Sequence, residues 1–254
     1  MLVDAHCHLD DEQFADELDA VIARAADAGV KMIITAGADV ESSRAAVALA
    51  EKYAGVHAVV GVHPEHAAEF NDKALEAIRA LATQRQVVGI GEIGLDFYWA
   101  QNPPRSVQER ALAAQMDLAQ ELDKPVVIHV RDAHAELMEI LQRRSGKPRG
   151  VLHCFSGDLA IAQRAIELGY YISFAGNVTF RNAQQLQQIA RAIPLERIIV
   201  ETDSPYLSPL RGKRNEPANA ARVAAKIAEL KSISTPAVER ATAQSSRLLF
   251  GLPE

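Results

Sequence analysis

The chain has 254 residues, 48% of them apolar and 24% charged, with a formal net charge of -6. That is enough apolar material for one large core, and the acidic balance excludes the basic footprint of a protein that coats nucleic acid indiscriminately. No apolar run approaches a bilayer span, and two cysteines, Cys7 and Cys154, are too few for a disulfide framework, so a reducing, cytoplasmic setting with no membrane partner is expected.

The first run, LVDAHCH, reads as a strand that ends in His6 and His8. No basic segment precedes it, so no secretory leader is expected. The amphipathic stretch ELDAVIARAADAG follows as a helix, then VKMIITAG as a strand and SSRAAVALAEKY as a helix. VHAVVGVH is a third strand ending in His63, followed by the helical ALEAIRALAT. VVGIGEIG ends a fourth strand near Glu92, and QERALAAQMDLAQELD returns as a helix. PVVIHV carries His129 at its end, His134 begins a helix, and GVLHCFSG carries His153. LAIAQRAIELG, YYISFAG and IIVETD complete the alternation, the last ending in Asp203. The tail holds two more amphipathic segments, NEPANAARVAAKIAELK and STPAVERATAQSSRLLF.

Strands alternating with helices over short connections mean parallel strands joined by crossovers. Roughly eight such units in a chain of this length predict an α/β fold, a (β/α)8 TIM barrel. No linker interrupts it, so residues 1–254 are expected to form a single domain. A doubly wound open sheet is the rival, but it usually carries a glycine-rich phosphate loop after its first strand, where this chain has His-x-His.

The polar residues cluster at the carboxyl ends of the predicted strands, the face on which barrels carry out chemistry. Taken singly, a histidine at a strand end is more often structural. Together, His6, His8, Glu92, His129, His153 and Asp203 are a donor set for divalent metals, and six donors are more than one ion needs. Two ions bridged by Glu92 are expected, with Gly91 and Gly94 permitting close approach. Asp203 is the expected general base, making Glu92 and Asp203 the catalytic pair. Side chains alternate along a strand, so Asp4 is expected to orient a ligand imidazole. His57, His66 and His134 are expected off the centre, with His66 and His134 at the surface. The cysteines are expected to pack beside the site.

DAHCHLD, GVHPE, GEIGLDFYW, VIHVRDA, GVLHCFSG, VETDSPYLSP and GKRNEP stand in this order across nearly the whole chain. Together they resemble the TatD family of metal-dependent deoxyribonucleases, within the amidohydrolase-like barrels. The resemblance implies a hydrolase of DNA, often a 3′-to-5′ exonuclease on single strands, using Mg2+, Mn2+ or Zn2+. It implies metal binding by His6, His8, Glu92, His129, His153 and Asp203, and substrate contact by His63. The chain departs from the family's usual pattern at Val130, where serine is frequent, and the FYWAQNPPR loop varies among relatives.

Phosphodiester cleavage also needs positive charge at the phosphate, and Arg131 shares a strand face with His129. Arg211, Lys213 and Arg214 form a basic cluster after the eighth strand, with Arg214 the expected phosphate contact. Trp99, the sole tryptophan, is the expected stacking surface for an unpaired base. The preferred reading is a nuclease acting on DNA, and on RNA as a further substrate, as a monomer. The alternative is a small-molecule amidohydrolase or phosphoesterase with the same binuclear site; a non-catalytic binding barrel fits the full donor set least.

Overall fold

The structure, a computed structural model, describes residues 1–253. Eight parallel strands follow one another in chain order: β1 (Leu2–Cys7), β2 (Val30–Ala36), β3 (Val56–Val60), β4 (Val87–Asp96), β5 (Val126–Arg131), β6 (Gly150–Leu152), β7 (Tyr171–Phe174) and β8 (Ile198–Val200). The crossovers are α1 (Leu18–Asp27), α2 (Val40–Lys52), α3 (Asp72–Ala82), α4 (Arg105–Glu121), α5 (His134–Arg143), α6 (Leu159–Glu167) and α7 (Gln184–Ala192). Two helices, α8 (Ala220–Lys231) and α9 (Thr235–Phe250), follow the last strand. This is the single-domain TIM barrel that the alternation implies. Among the described residues, no helix is long and apolar enough to cross a membrane.

Strand periodicity divides the core in two. Ile33 faces the helices, packing in the larger cluster with Ala46, Val47 and Ile78. Met32, Ile34 and Ala36 face the other way, into a smaller cluster with Val3, Val59, Val127 and Ile199. Leu249 and Phe250 of α9 join this inner cluster, so the last helix plugs the barrel floor. The helix α7, QQLQQIARA, was not marked by the sequence because its apolar stripe is narrow; it buries only Ile189 and Ala190.

Two glycines of β4 answer to the neighbouring strand. A Cβ on Gly91 would lie 2.7 Å from the Cβ of Val127, and one on Gly94 would lie 1.9 Å from the carbonyl oxygen of His129. Both glycines therefore let β5 approach β4. The fourth strand also runs further than its glycines suggest. Glu92 does not end it but lies within it, at a register irregularity between Ile90 and Ile93, and pairing with β5 continues to Asp96.

The seam between β8 and β1 is closed differently from the other seven. In place of a ladder there is an isolated bridge from Cys7 to Ser204. Backbone bonds run from Asp203 N–H to the His6 carbonyl (2.9 Å) and from His8 N–H to the Ser204 carbonyl (2.8 Å). Asp4, fully buried, supplies the rest: its carboxylate accepts from the Thr202 N–H (2.8 Å) and the Thr202 hydroxyl (2.6 Å). Its expected role as an orienter of a ligand imidazole is thereby corrected: both oxygens face Thr202 across the seam. Asp4→Ala would strand a buried N–H and hydroxyl at a cost of about 1–3 kcal/mol. Urea denaturation should show that loss, with Asp4→Asn losing less; an unchanged midpoint for Asp4→Ala would show that the seam does not need the carboxylate.

Candidate metal centre

The six residues expected to bind metal come from four strand ends and one strand interior, and the barrel brings them together. His6 Nε2 and His8 Nε2 lie 3.3 Å apart. Glu92 Oε2 is 3.3 Å from the first and 3.8 Å from the second. Asp203 Oδ1 is 3.8 Å from His6 and 3.6 Å from His8. The other oxygen of Glu92, Oε1, lies 2.9 Å from His129 Nδ1 and 2.9 Å from His153 Nε2. Glu92 thus stands between two nitrogen groups, one oxygen in each.

Donors about 2.0–2.2 Å from a shared ion lie roughly 3–3.5 Å from one another. The separations in both groups are near that range, and the donor chemistry is mixed imidazole and carboxylate, so the set fits divalent ions. His129 turns its second nitrogen to Asp96 Oδ2 (3.1 Å), His8 its Nδ1 to the Ala36 carbonyl (3.3 Å), and His153 its Nδ1 towards Glu201 Oε1 (3.3 Å). Such partners fix the ring so that the other nitrogen faces the centre. Glu201 is itself held by the Cys154 N–H (2.6 Å). Strand alternation places Glu201 on the face of Asp203 but does not give it this role, and Asp96 is not marked by the sequence, since its place beside His129 depends on the register of β4 against β5.

His63 differs from the others. Its Nδ1 accepts the Glu65 N–H (3.2 Å), so the neutral ring carries its proton on Nε2, 3.5 Å from Glu92 Oε1. Burial drives its pKa down to about 3. His63 therefore presents a donor to the site, where a ligand would present a lone pair.

The electrostatics are those of a buried charge cluster. Burial works to raise the pKa of Glu92, but His153, His63 and His129 outweigh it and hold the carboxyl well below its usual range. Asp203 is likewise held low against burial, chiefly by His8, His153 and His6. Burial opposes a charge on His8, yet Asp203 and Glu92 push its pKa up to about 9. Both thiols are pushed up by burial, with nearby carboxylates adding to it. Cys7 is fully buried beside the site, and Cys154 lines the cavity. Asp203 and Cys154 hold left-handed backbone, φ 55 and φ 42. Such conformations cost free energy and persist only where the surroundings enforce them; here the enforcement is the Asp203 bond to His6. Asn215, fully buried, adds to it by donating to the carbonyls of Thr202 (2.8 Å) and Tyr206 (2.7 Å).

The centre opens into a cavity of about 840 Å³ lined by His8, His63, Glu92, His129, His153 and Asp203 at its floor. Arg131 and Trp99 are on its wall. The Arg131 guanidinium lies 3.7 Å over the Tyr98 ring and 5.3 Å from that of Trp99. Arg214 is elsewhere: it donates to the Gln13 carbonyl and to Glu17 (2.8 Å), and packs over Phe14. Its expected phosphate contact is corrected, because its charge is spent tying the loop after β8 to the loop after β1. His66 and His134, expected at the surface, are half-buried, and His66 lines the cavity.

A (β/α)8 barrel with this floor defines a metal-dependent hydrolase. The chain belongs to the family described as TatD related DNase, whose model matches residues 3–251. It is 36% identical, over 98% of its length and 99% of the relative's, to the Bacillus subtilis protein named uncharacterized metal-dependent hydrolase YabD. It is 38% identical, over 99% of its length and 98% of the relative's, to the Klebsiella pneumoniae protein named 3′-5′ ssDNA/RNA exonuclease TatD. The crystal structure of the Escherichia coli TatD homologue YjjV superposes with a TM-score of 0.93 at 34% identity, over 99% of this chain and 98% of that one.

An ion entering the centre must displace protons from His8, His129 and His153, whose pKa values are raised. Affinity for Mn2+ should therefore rise with pH from about 6 and flatten near 9, where His8 gives up its proton. Calorimetry in buffers of different ionisation enthalpy should record proton release at neutral pH; a pH-independent affinity would contradict this charge distribution.

Proposed function

We propose that this chain is an exonuclease that removes nucleotides from the 3′ ends of single-stranded DNA, with RNA as a further substrate. The relative from Klebsiella pneumoniae bears that activity in its name. The observation that carries the reading is the wall of the cavity. Arg131 and Trp99 stand beside the carboxylate and imidazole floor, so a phosphate-binding group and a base-stacking surface flank the reacting position.

His6, His8 and Asp203 would hold one divalent ion and His129 and His153 a second, with Glu92 shared. Bound there, such ions supply an ionised water and positive charge at the phosphate oxygens. The residues of the chain do the rest. Asp203, held ionised by its imidazole neighbours, takes the proton of the attacking water. The Nε2–H of His63 donates to a phosphate oxygen. Arg131 offers a planar pair of donors to the same phosphate, and its packing on Tyr98 restrains it before substrate arrives. Trp99, 42% exposed, offers its face to a base, worth about 1–3 kcal/mol.

The test is end-labelled single-stranded DNA, duplex DNA and RNA, presented to metal-stripped protein reloaded with Mg2+, Mn2+ or Zn2+. Asp203→Asn should lower cleavage by about 10²–10⁴-fold with an unchanged circular dichroism spectrum. Comparable activity in that variant would remove Asp203 from the chemistry. Arg131→Ala should cost roughly 10- to 100-fold on a phosphodiester, the value of a charge-assisted bond, and far less on a neutral ester. Equal losses on both would deny Arg131 a phosphate role.

A further inference from the structure

The cavity wall is electrically divided. The strands run round the barrel in chain order, so the loops after β8, β1 and β3 lie on one arc and those after β4 and β5 on the other. Asp10, Asp11, Glu65 and Tyr206 line the first arc, and Trp99 and Arg131 line the second. Arg131 is the one lysine or arginine lining the cavity among the described residues. Carboxylates therefore face a guanidinium and an aromatic ring across the reacting floor.

The acidic arc is built. Asp11 Oδ1 accepts the Gln13 N–H (2.9 Å), and Asp11 Oδ2 accepts the Tyr206 hydroxyl (3.0 Å). That pair fixes the carboxylate at the rim. Glu65 Oε2 lies 4.0 Å from His63 Nδ1, and His63, only 8% exposed, turns an Nε2–H with no hydrogen-bond partner towards the cavity. An unused donor for a substrate oxygen thus sits at the foot of the acidic wall.

A nucleic-acid strand brings one negative charge with every nucleotide. On the Arg131 arc that charge meets a cation and the bases meet Trp99. On the opposite arc the next phosphate would meet the carboxylates of Asp11 and Glu65 with no lysine or arginine between them. A terminal hydroxyl is neutral and donates a proton, which suits a carboxylate acceptor. Resting on the exonuclease reading, we propose that Asp11 and Glu65 select the free 3′ hydroxyl of the strand and reject any chain that continues past it. The strand would enter along Trp99 and Arg131 and end against the acidic arc, so that the bond cut is the last one.

The test uses the metal-loaded full chain and one 5′-labelled single-stranded DNA in three forms: ending in a 3′ hydroxyl, ending in a 3′ phosphate, and closed into a circle. The native protein should cut the hydroxyl form at least about tenfold faster than the phosphate form and leave the circle intact, with the preference narrowing as salt screens the wall. In the double variant Asp11→Asn with Glu65→Gln, cleavage of the hydroxyl form should fall and that of the other two should rise, bringing the first two within about twofold. Asparagine still caps the turn that Asp11 starts, and a thermal melt reports whether the variant is folded. Equal cutting of the hydroxyl and phosphate forms with the circle left intact, or unchanged discrimination between those two in a folded variant, overturns this proposal alone, whereas equal cutting of the circle by the native protein overturns the exonuclease reading as well. No cutting of any strand with any ion overturns the exonuclease reading and this proposal with it.

Discussion

A carboxylate buried to 4% exposure must be paid for by its neighbours, and the pairing of Glu92 is the constraint around which the protein is arranged. An isolated buried charge would take up a proton. Glu92 keeps its charge because imidazoles surround both oxygens, His6 and His8 on one side and His129 and His153 on the other. Three of those imidazoles have a carboxylate or carbonyl behind them, Asp96 for His129, Glu201 for His153 and the Ala36 carbonyl for His8. The register irregularity in β4 places Glu92 at the centre of this set, and the glycines on either side allow β5 to deliver His129 within 2.9 Å. Backbone geometry and site electrostatics are here one requirement.

The fold was legible in the sequence because its signal is repeated. Each strand and crossover is a weak inference alone, but the same alternation recurs along the chain. The six donors were legible for a related reason: a parallel barrel gathers every strand's carboxyl end at one rim, so ligand-type residues there converge without long-range information. Glu92 shows the limit of that rule. It lies inside β4, and the irregularity that turns it to the centre leaves no local mark, because glycine occurs as readily at turns as within a strand that another backbone approaches.

Side-chain partners across the seam were less legible. Asp4 and Glu201 are both acidic residues two positions from a metal-type donor, and the alternation rule treats them alike. The structure assigns them opposite work: Asp4 closes the barrel through Thr202, and Glu201 stands behind His153. The difference lies in which strand each faces, and that depends on a packing geometry spread over the whole barrel. Arg214 fails for a simpler reason. A basic cluster in a loop reports charge but not direction, and here Glu17, more than a hundred residues earlier in the chain, claims the guanidinium.

The position of the seam explains why the rim can carry unlike charges so close together. A ladder between β8 and β1 would fix both loops through regular backbone bonds. Here the closure consists of a few side chains and two backbone bonds, and Asp203, in left-handed backbone, is part of it. The same polar ties that close the barrel extend outward as Tyr206 on Asp11 and Arg214 on Glu17. The first of these ties holds the Asp11 carboxylate at the rim of the cavity. In the proposed reading, in which one edge attracts a phosphate and the other resists one, a carboxylate held in place preserves an asymmetry that a mobile one would lose.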